Sequence, residues 1–192
     1  KITNNKKLMS EKALTKEIAE QFLAYPDEVS LYEFTSIEDE AAEILVDRGL
    51  ATLSTDEHFE LVGLTALSDT AAESLSKHQG SLHLSALKEL TDQAVESLSK
   101  HQGDLGLNGL TELSDAAAES LSKHQGGLQL WGLTELSDKA AGSLSGYQGK
   151  INNRNPEYVV KSLQKKQECA CGGEIREWNG EMRCWSCGKV YE

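Results

Sequence analysis

One 23-residue unit is written four times in succession between residues 58 and 149. The third copy, Asp104 to Gly126, reads DLGLNGLTELSDAAAESLSKHQG, and its neighbours differ from it at a minority of positions. Three copies end in Lys-His-Gln-Gly, at Gly80, Gly103 and Gly126, and the fourth ends in Tyr-Gln-Gly at Gly149. A unit this short cannot bury its own apolar face. A fixed period in the twenties therefore predicts a solenoid, in which each unit is covered by the next.

The apolar period changes inside the unit. Leu105, Leu107 and Leu110 open it as an L-x-L-x-x-L strand, and Leu113 carries the chain off the sheet. From Asp115 to His124 the spacing becomes helical, with Ala117, Ala118 and Leu121 on one face. The small Ala side chains let that helix lie close to the strands. Ser114 or Asp115 stands where a helix cap belongs, and acid in the first turn suits the helix dipole. Glu119 and Lys123 stand four apart in the favourable order, and Gly126 is expected to supply a left-handed exit.

With these residues the unit resembles the leucine-rich repeat family, most closely its helical type, whose unit reads L-x-L-x-x-C-x-x-I-T-D-x-x-L. Leu110 occupies the cysteine or asparagine position, so the usual polar ladder there is missing. The resemblance spans roughly residues 8 to 155. It implies an α/β fold: a right-handed curved solenoid with a parallel sheet on one side and helices on the other.

The flanks follow the same frame in weakened form. Val29, Leu31, Phe34, Ile37, Asp39, Ala41, Ala42 and Leu45 fall on the expected positions, so residues 28–149 are read as solenoid, with an insertion at 50–57. Leu8, Leu14, Ile18, Ala19 and Phe22 also fit, making residues 1–27 a tail and helical cap stopped by Pro26. After Gly149 the frame restarts with Ile151 and then fails, because Asn153 sits where a core Leu belongs. Asn155-Pro156 begins a helix that closes the stack, so residues 150–167 form the C-terminal cap. Glu119 and Lys123 become Gly142 and Gly146 in the last copy, which suggests a groove for that cap helix.

All four cysteines lie in residues 168–192. There Asn179-Gly180 separates two alternating segments, a strong hairpin signal. Cys169 and Cys171 stand at one end of the hairpin and Cys184 and Cys187 at the other, so four thiolates can converge on one tetrahedral ion. The segment resembles a zinc ribbon, its second pair a regular C-x-x-C-G-K knuckle and its first a shorter C-x-C. One structural Zn2+ held by these four residues is favoured over disulfides or free thiols. A unit so small lacks a sufficient core of its own, and the metal is then a folding requirement.

The net charge is −12, and residues 150–192 hold eight Lys/Arg against six Asp/Glu, which leaves −14 on residues 1–149. An acidic solenoid repels phosphate backbones, so nucleic acid is a possible partner only through the C-terminal unit. No apolar run approaches the ~18 residues of a membrane span. Without that or a signal-peptide pattern, the expectation is a cytoplasmic protein with no membrane partner.

Comparing the four copies locates the candidate function. At the first, third and fifth positions the residues change freely, while helix-surface positions such as Glu73, Glu96 and Glu119 stay fixed through the first three copies. Alternation puts those variable positions on the exposed sheet face. A protein or peptide partner is therefore expected on the concave face, at Tyr32, Glu60, Val62, His83, Ser85, Asn108, Gln129 and Trp131. Exposed aromatics such as Tyr32 and Trp131 are typical anchors. His78, His101 and His124 recur in one column, and a metal ladder or proton relay is imaginable there. Tyr25, Arg48 and Tyr147 share that column, which favours rings packed over the helix ends. The Asp column (Asp69, Asp92, Asp115, Asp138) reads as capping. No nucleophile–base pair, phosphate loop or open metal site is visible, so the chain is read as a non-enzymatic recognition module. A nucleic-acid-associated protein with the zinc ribbon as reader is the alternative.

Overall fold

The structure, a computed structural model, describes residues 12–49, 58–163, 175–178, 181–184 and 186–191. It is an α/β fold with parallel sheets and, among the described residues, seven α-helices. The expected insertion at 50–57 and the tail before residue 12 lie outside the described residues.

The repeat period is visible directly in the register. Strands β3 (His58–Glu60), β4 (Ser81–His83), β5 (Leu105–Gly106), β6 (Gly127–Gln129) and β7 (Lys150–Ile151) form one parallel sheet in chain order. Leu82 pairs with Leu105, Leu105 with Leu128 and Leu128 with Ile151, each 23 positions on. The strands are shorter than the Leu spacing suggests. Pairing ends with Leu84 N–H on Gly106 O (2.8 Å) and Leu107 N–H on Gln129 O (2.8 Å). The chain then turns, and Leu110 N–H closes back on Leu107 O at 3.3 Å. Leu110 is thus buried from a turn and not from the strand.

A second, two-stranded parallel sheet joins β1 (Ala13–Leu14) to β2 (Ser36–Ile37), again 23 positions apart. These residues correspond to Glu112–Leu113 of the third copy. Where the frame puts a strand at Val29–Leu31, the chain instead forms 3-10 turns at Pro26–Glu28 and Leu31–Glu33. Pro26 has no N–H to give a ladder, and its fixed φ suits the start of a tight turn. The core spacing survives all the same, since Leu31, Phe34, Ile37, Ala41, Ala42 and Leu45 are buried.

The helices α1 (Lys16–Ala24), α2 (Asp39–Ile44), α3 (Asp69–Ser76), α4 (Asp92–Leu98), α5 (Asp115–Leu121), α6 (Asp138–Ser145) and α7 (Pro156–Leu163) line the other side. Ser68, Thr91, Ser114 and Ser137 are the N-caps of α3 to α6, each accepting the N–H of the third helical residue at 2.9–3.0 Å. The aspartates occupy the next position and serve the following unit instead. The hydroxyls of Ser68, Thr91, Ser114 and Ser137 donate to Asp39, Asp69, Asp92 and Asp115 respectively. This serine–aspartate ladder runs along the helix starts and ties neighbouring units together. One continuous apolar core lies between helices and sheet, built from the repeated Leu and Ala positions.

Two expectations about glycine are corrected. Gly126 does not adopt a positive φ, although Gly80 and Gly103 do, at +116° and +136°. What the column shares is proximity, because a Cβ at Gly103 would sit 2.0 Å from Gly80 O and one at Gly126 2.0 Å from Gly103 O. The turns stack backbone on backbone, and only glycine leaves room. Gly142 makes no groove for α7, since a Cβ there would meet nothing within 4 Å. The cap helix docks instead through buried Val159 and Val160, and its Leu163 carbonyl accepts Leu136 N–H at 3.0 Å.

The sheet has a defined end. Asn152 and Asn153 take φ of 53° and 60°, a left-handed pair that turns the chain back so that Ile151 bridges Arg154. Asn152 is buried, and its side-chain Oδ1 accepts Leu130 N–H at 2.7 Å. In earlier units the next strand's carbonyl fills that role, so an amide side chain closes the ladder here. Asn155 Oδ1 then caps α7 through Glu157 N–H at 2.8 Å.

Candidate binding face

Backbone pairing sets the variable positions in rows. His83 stands opposite Glu60 on one side and Gly106 on the other, and Gly106 stands opposite Gln129. The side chain of Glu60 lies outside the described set. A Cβ at Gly106 would come within 2.7 Å of His83 Nδ1, so the gap left by glycine is filled by its neighbour's ring.

The fifth-position row is joined by side chains. Asn108 donates through Nδ2 to Ser85 Oγ (3.3 Å) and to Gln129 Oε1 (3.5 Å), while its Oδ1 accepts Trp131 N–H at 3.3 Å. Four of the expected residues therefore meet in one network centred on half-buried Asn108. Val62 and His83 are half-buried beside it. Trp131 is 56% exposed, outside both core and cap. Tyr32 is 58% exposed and rises from a 3-10 turn, yet its carbonyl would lie 2.4 Å from a Cβ on Gly63. Asn108 O stands the same way to Gly132, at 2.1 Å. Tyr32 is thus in the fifth-position stack, although no strand puts it there.

Two residues of this face were not singled out in the sequence. Arg154 lies 23 positions after Trp131 and continues its row past the left-handed turn, where the apolar frame fails. Its guanidinium sits over the Tyr158 ring, 5.5 Å from the centroid. Trp131, Arg154 and Tyr158 line one cleft of about 180 Å3 between the last full unit and α7. The period itself marks Arg154, while nothing in the sequence marks Tyr158 beyond an aromatic on a cap helix.

A larger cleft, about 800 Å3, opens on the helical side among α3, α4 and α5. Its charged lining is largely self-partnered: Glu73–Lys77 and Glu96–Lys100 are ion pairs of 3.7 and 3.2 Å with exposed side chains. Such pairs contribute little to stability, and they repeat without change in the first three copies.

The histidine column is interior. The His78 and His101 rings stack at 5.9 Å between centroids and those of His101 and His124 at 6.4 Å, nearly parallel. His101 Nε2 lies 2.8 Å from Gly80 O, and its Nδ1 lies 3.4 Å from Ser76 O. His124 Nδ1 lies 3.3 Å from Ser99 O. The His101 and His124 rings thus span to carbonyls of the preceding unit. Burial holds all three below the usual imidazole range, with His78 pushed down to about 4 by burial and by its neighbour His101. The carbonyls on His101 oppose the shift without cancelling it. Tyr147 closes the column by donating its hydroxyl to Gly126 O, and burial pushes its pKa up to about 12.

Of the four cysteines, Cys169 and Cys171 lie outside the described residues. Among those described, β8 (Ile175–Trp178), β9 (Glu181–Cys184) and β10 (Val190–Tyr191) form an antiparallel sheet in the order β10-β9-β8. Cys184 ends β9 opposite Ile175, and exposed Cys187 follows in the turn to β10. Gly188 adopts φ +73°, which lets the chain wrap tightly after the second cysteine. Among the described residues no three His, Cys, Asp or Glu converge as metal ligands, and no helix is long and apolar enough to cross a membrane.

Comparison of the chain with protein-family profiles, curated proteins and solved structures finds no match.

Proposed function

We propose that the chain is a leucine-rich-repeat-like solenoid that recognises a protein or peptide partner on the sheet face, without catalysing a reaction. The observation that carries this reading is the row Ser85–Asn108–Trp131. Asn108 bonds the Ser85 hydroxyl on one side and the Trp131 backbone N–H on the other, the side chains differ from copy to copy, and the row ends in an indole that the fold leaves 56% exposed. Exposing a Trp gains nothing for folding. At an interface centre the same side chain contributes ~2 kcal/mol or more. Amide side chains beside it offer polar contacts that fix orientation.

The C-terminal unit, in this reading, is a zinc ribbon. The Cys184/Cys187 pair and the left-handed Gly188 suit a metal knuckle, and Cys169 and Cys171 would complete a closed four-thiolate site. The ion there is structural and offers no open position for chemistry.

The test uses the intact chain as bait and then compares variants against the captured partner. Trp131→Ala is expected to weaken binding by about tenfold or more with little change in melting temperature. A partner that ignores Trp131, or one that proves to be nucleic acid held with a steep salt dependence, contradicts the proposal.

A further inference from the structure

The cleft beside Trp131 has its own chemistry. Its floor is apolar, formed by Leu133 and Leu163, and its rim carries Trp131, Tyr158, Ser162 and Arg154. At about 180 Å3 it falls below the ~300 Å3 at which small-molecule pockets begin, but it suits a single bulky side chain. That size points to a polypeptide guest.

The polar groups narrow the guest further. Arg154 is exposed and makes no ion pair among the described residues, while stacking on Tyr158 holds its planar fork in place. A pre-oriented guanidinium matches a carboxylate bidentately. Capture of a chain-terminal carboxylate commonly uses a nest of backbone N–H groups. Those nearest the cleft are already taken, Leu130 N–H by Asn152 Oδ1 and Trp131 N–H by Asn108 Oδ1. An internal acidic side chain fits the site better.

We infer that an extended partner segment seats an apolar side chain between Trp131 and Tyr158 and lays an adjacent Asp or Glu on Arg154. This rests on the sheet-face reading above and adds the chemistry of the partner to it. An acidic group is a selective requirement here, because the solenoid carries −14 over residues 1–149 and repels carboxylates elsewhere. Arg154 supplies the local exception.

A displayed library of random heptapeptides, selected on the intact chain, tests this. The selected peptides are expected to pair a bulky apolar residue with Asp or Glu one or two positions away. Arg154→Gln is expected to weaken a synthetic acidic peptide about tenfold, the scale of one charge-assisted contact, and to leave its Glu→Gln or Asp→Asn analogue almost unaffected. Arg154→Lys keeps the charge and restores part of the loss. Peptides that need Trp131 but carry no acid and tolerate Arg154→Gln overturn this inference and leave the sheet-face reading standing. A library yielding no binder, or binders indifferent to Trp131→Ala, overturns both.

Discussion

The Ser114 hydroxyl accepts Ala117 N–H at 2.9 Å and donates to the Asp92 carboxylate of the preceding unit. One side chain therefore caps its own helix and bonds to the helix before it. The contact ties neighbouring units together at the helix starts. Ser114→Ala is expected to cost about 1–2 kcal/mol, the upper part of the range for a lost N-cap. Asp92→Ala removes only the inter-unit half of the arrangement and is expected to cost less. Urea unfolding of both variants checks the order, and an Asp92 variant that loses more than the Ser114 variant contradicts it.

Two glycines separate the demands of stacking from those of helix propensity. Ala at Gly103 would place Cβ 2.0 Å from a neighbouring carbonyl at φ +136°, so Gly103→Ala is expected to destabilise strongly. Gly142→Ala meets nothing, and in α6 it is expected to stabilise by roughly 0.5–1 kcal/mol. Equal effects in thermal melts would show that the turns do not stack as described.

Burial of Leu107 is complete. Leu107→Ala is expected to cost about 2–5 kcal/mol, because the cavity lies between stacked strands that cannot collapse onto it. Because each unit is covered only by its neighbours, the loss is expected to unfold part of the stack first, giving a broadened or biphasic transition.

The stacked histidines make an acid-sensitive element. Their folded-state pKa values lie below the unfolded one, with His78 at about 4. On acidification the unfolded chain binds protons first, so stability is complete above about pH 6.5 and falls as pH drops toward 4. His124→Tyr, which copies the Tyr147 solution, is expected to fold and to flatten part of that decline. An acid profile unchanged by the substitution would show that the ring titrates freely in the folded state.

Much of this was legible in the sequence because the period constrains it. Register, helix positions and the buried Leu and Ala columns follow from 23-residue repetition and from apolar spacing alone. The histidine column was also readable, since Tyr147 in the same place implies a packing role. The failures have local causes. Leu31 kept its core position while Pro26 and the 3-10 turns removed the strand around it. The end of the sheet depends on two left-handed asparagines and on Asn152 replacing a strand carbonyl, a three-dimensional substitution with no periodic signature. Arg154 keeps the 23-residue spacing from Trp131 but follows directly on Asn153, where the apolar frame fails, so apolar spacing alone does not point to it.

The zinc site proposed for the C-terminal unit makes a separate prediction. One ion per chain is expected by elemental analysis, with Zn–S distances of ~2.3 Å by X-ray absorption. Since the ligands must be thiolates, chelation or acid is expected to unfold residues 168–192 while the repeats keep their helical signal. Protein purified without chelator that carries no metal and has all four cysteines oxidised contradicts this.

The central claim is that the sheet face, and not the helical face, meets the partner. Site-specific photo-crosslinking tests it most directly, with the reactive residue placed in turn at Gln129, Asn108, Glu96 and Glu119 of the intact chain. Crosslinks to the captured partner from positions 129 and 108, and none from 96 and 119, are the expected result. Crosslinks confined to positions 96 and 119 would assign the interface to the helices and contradict the account.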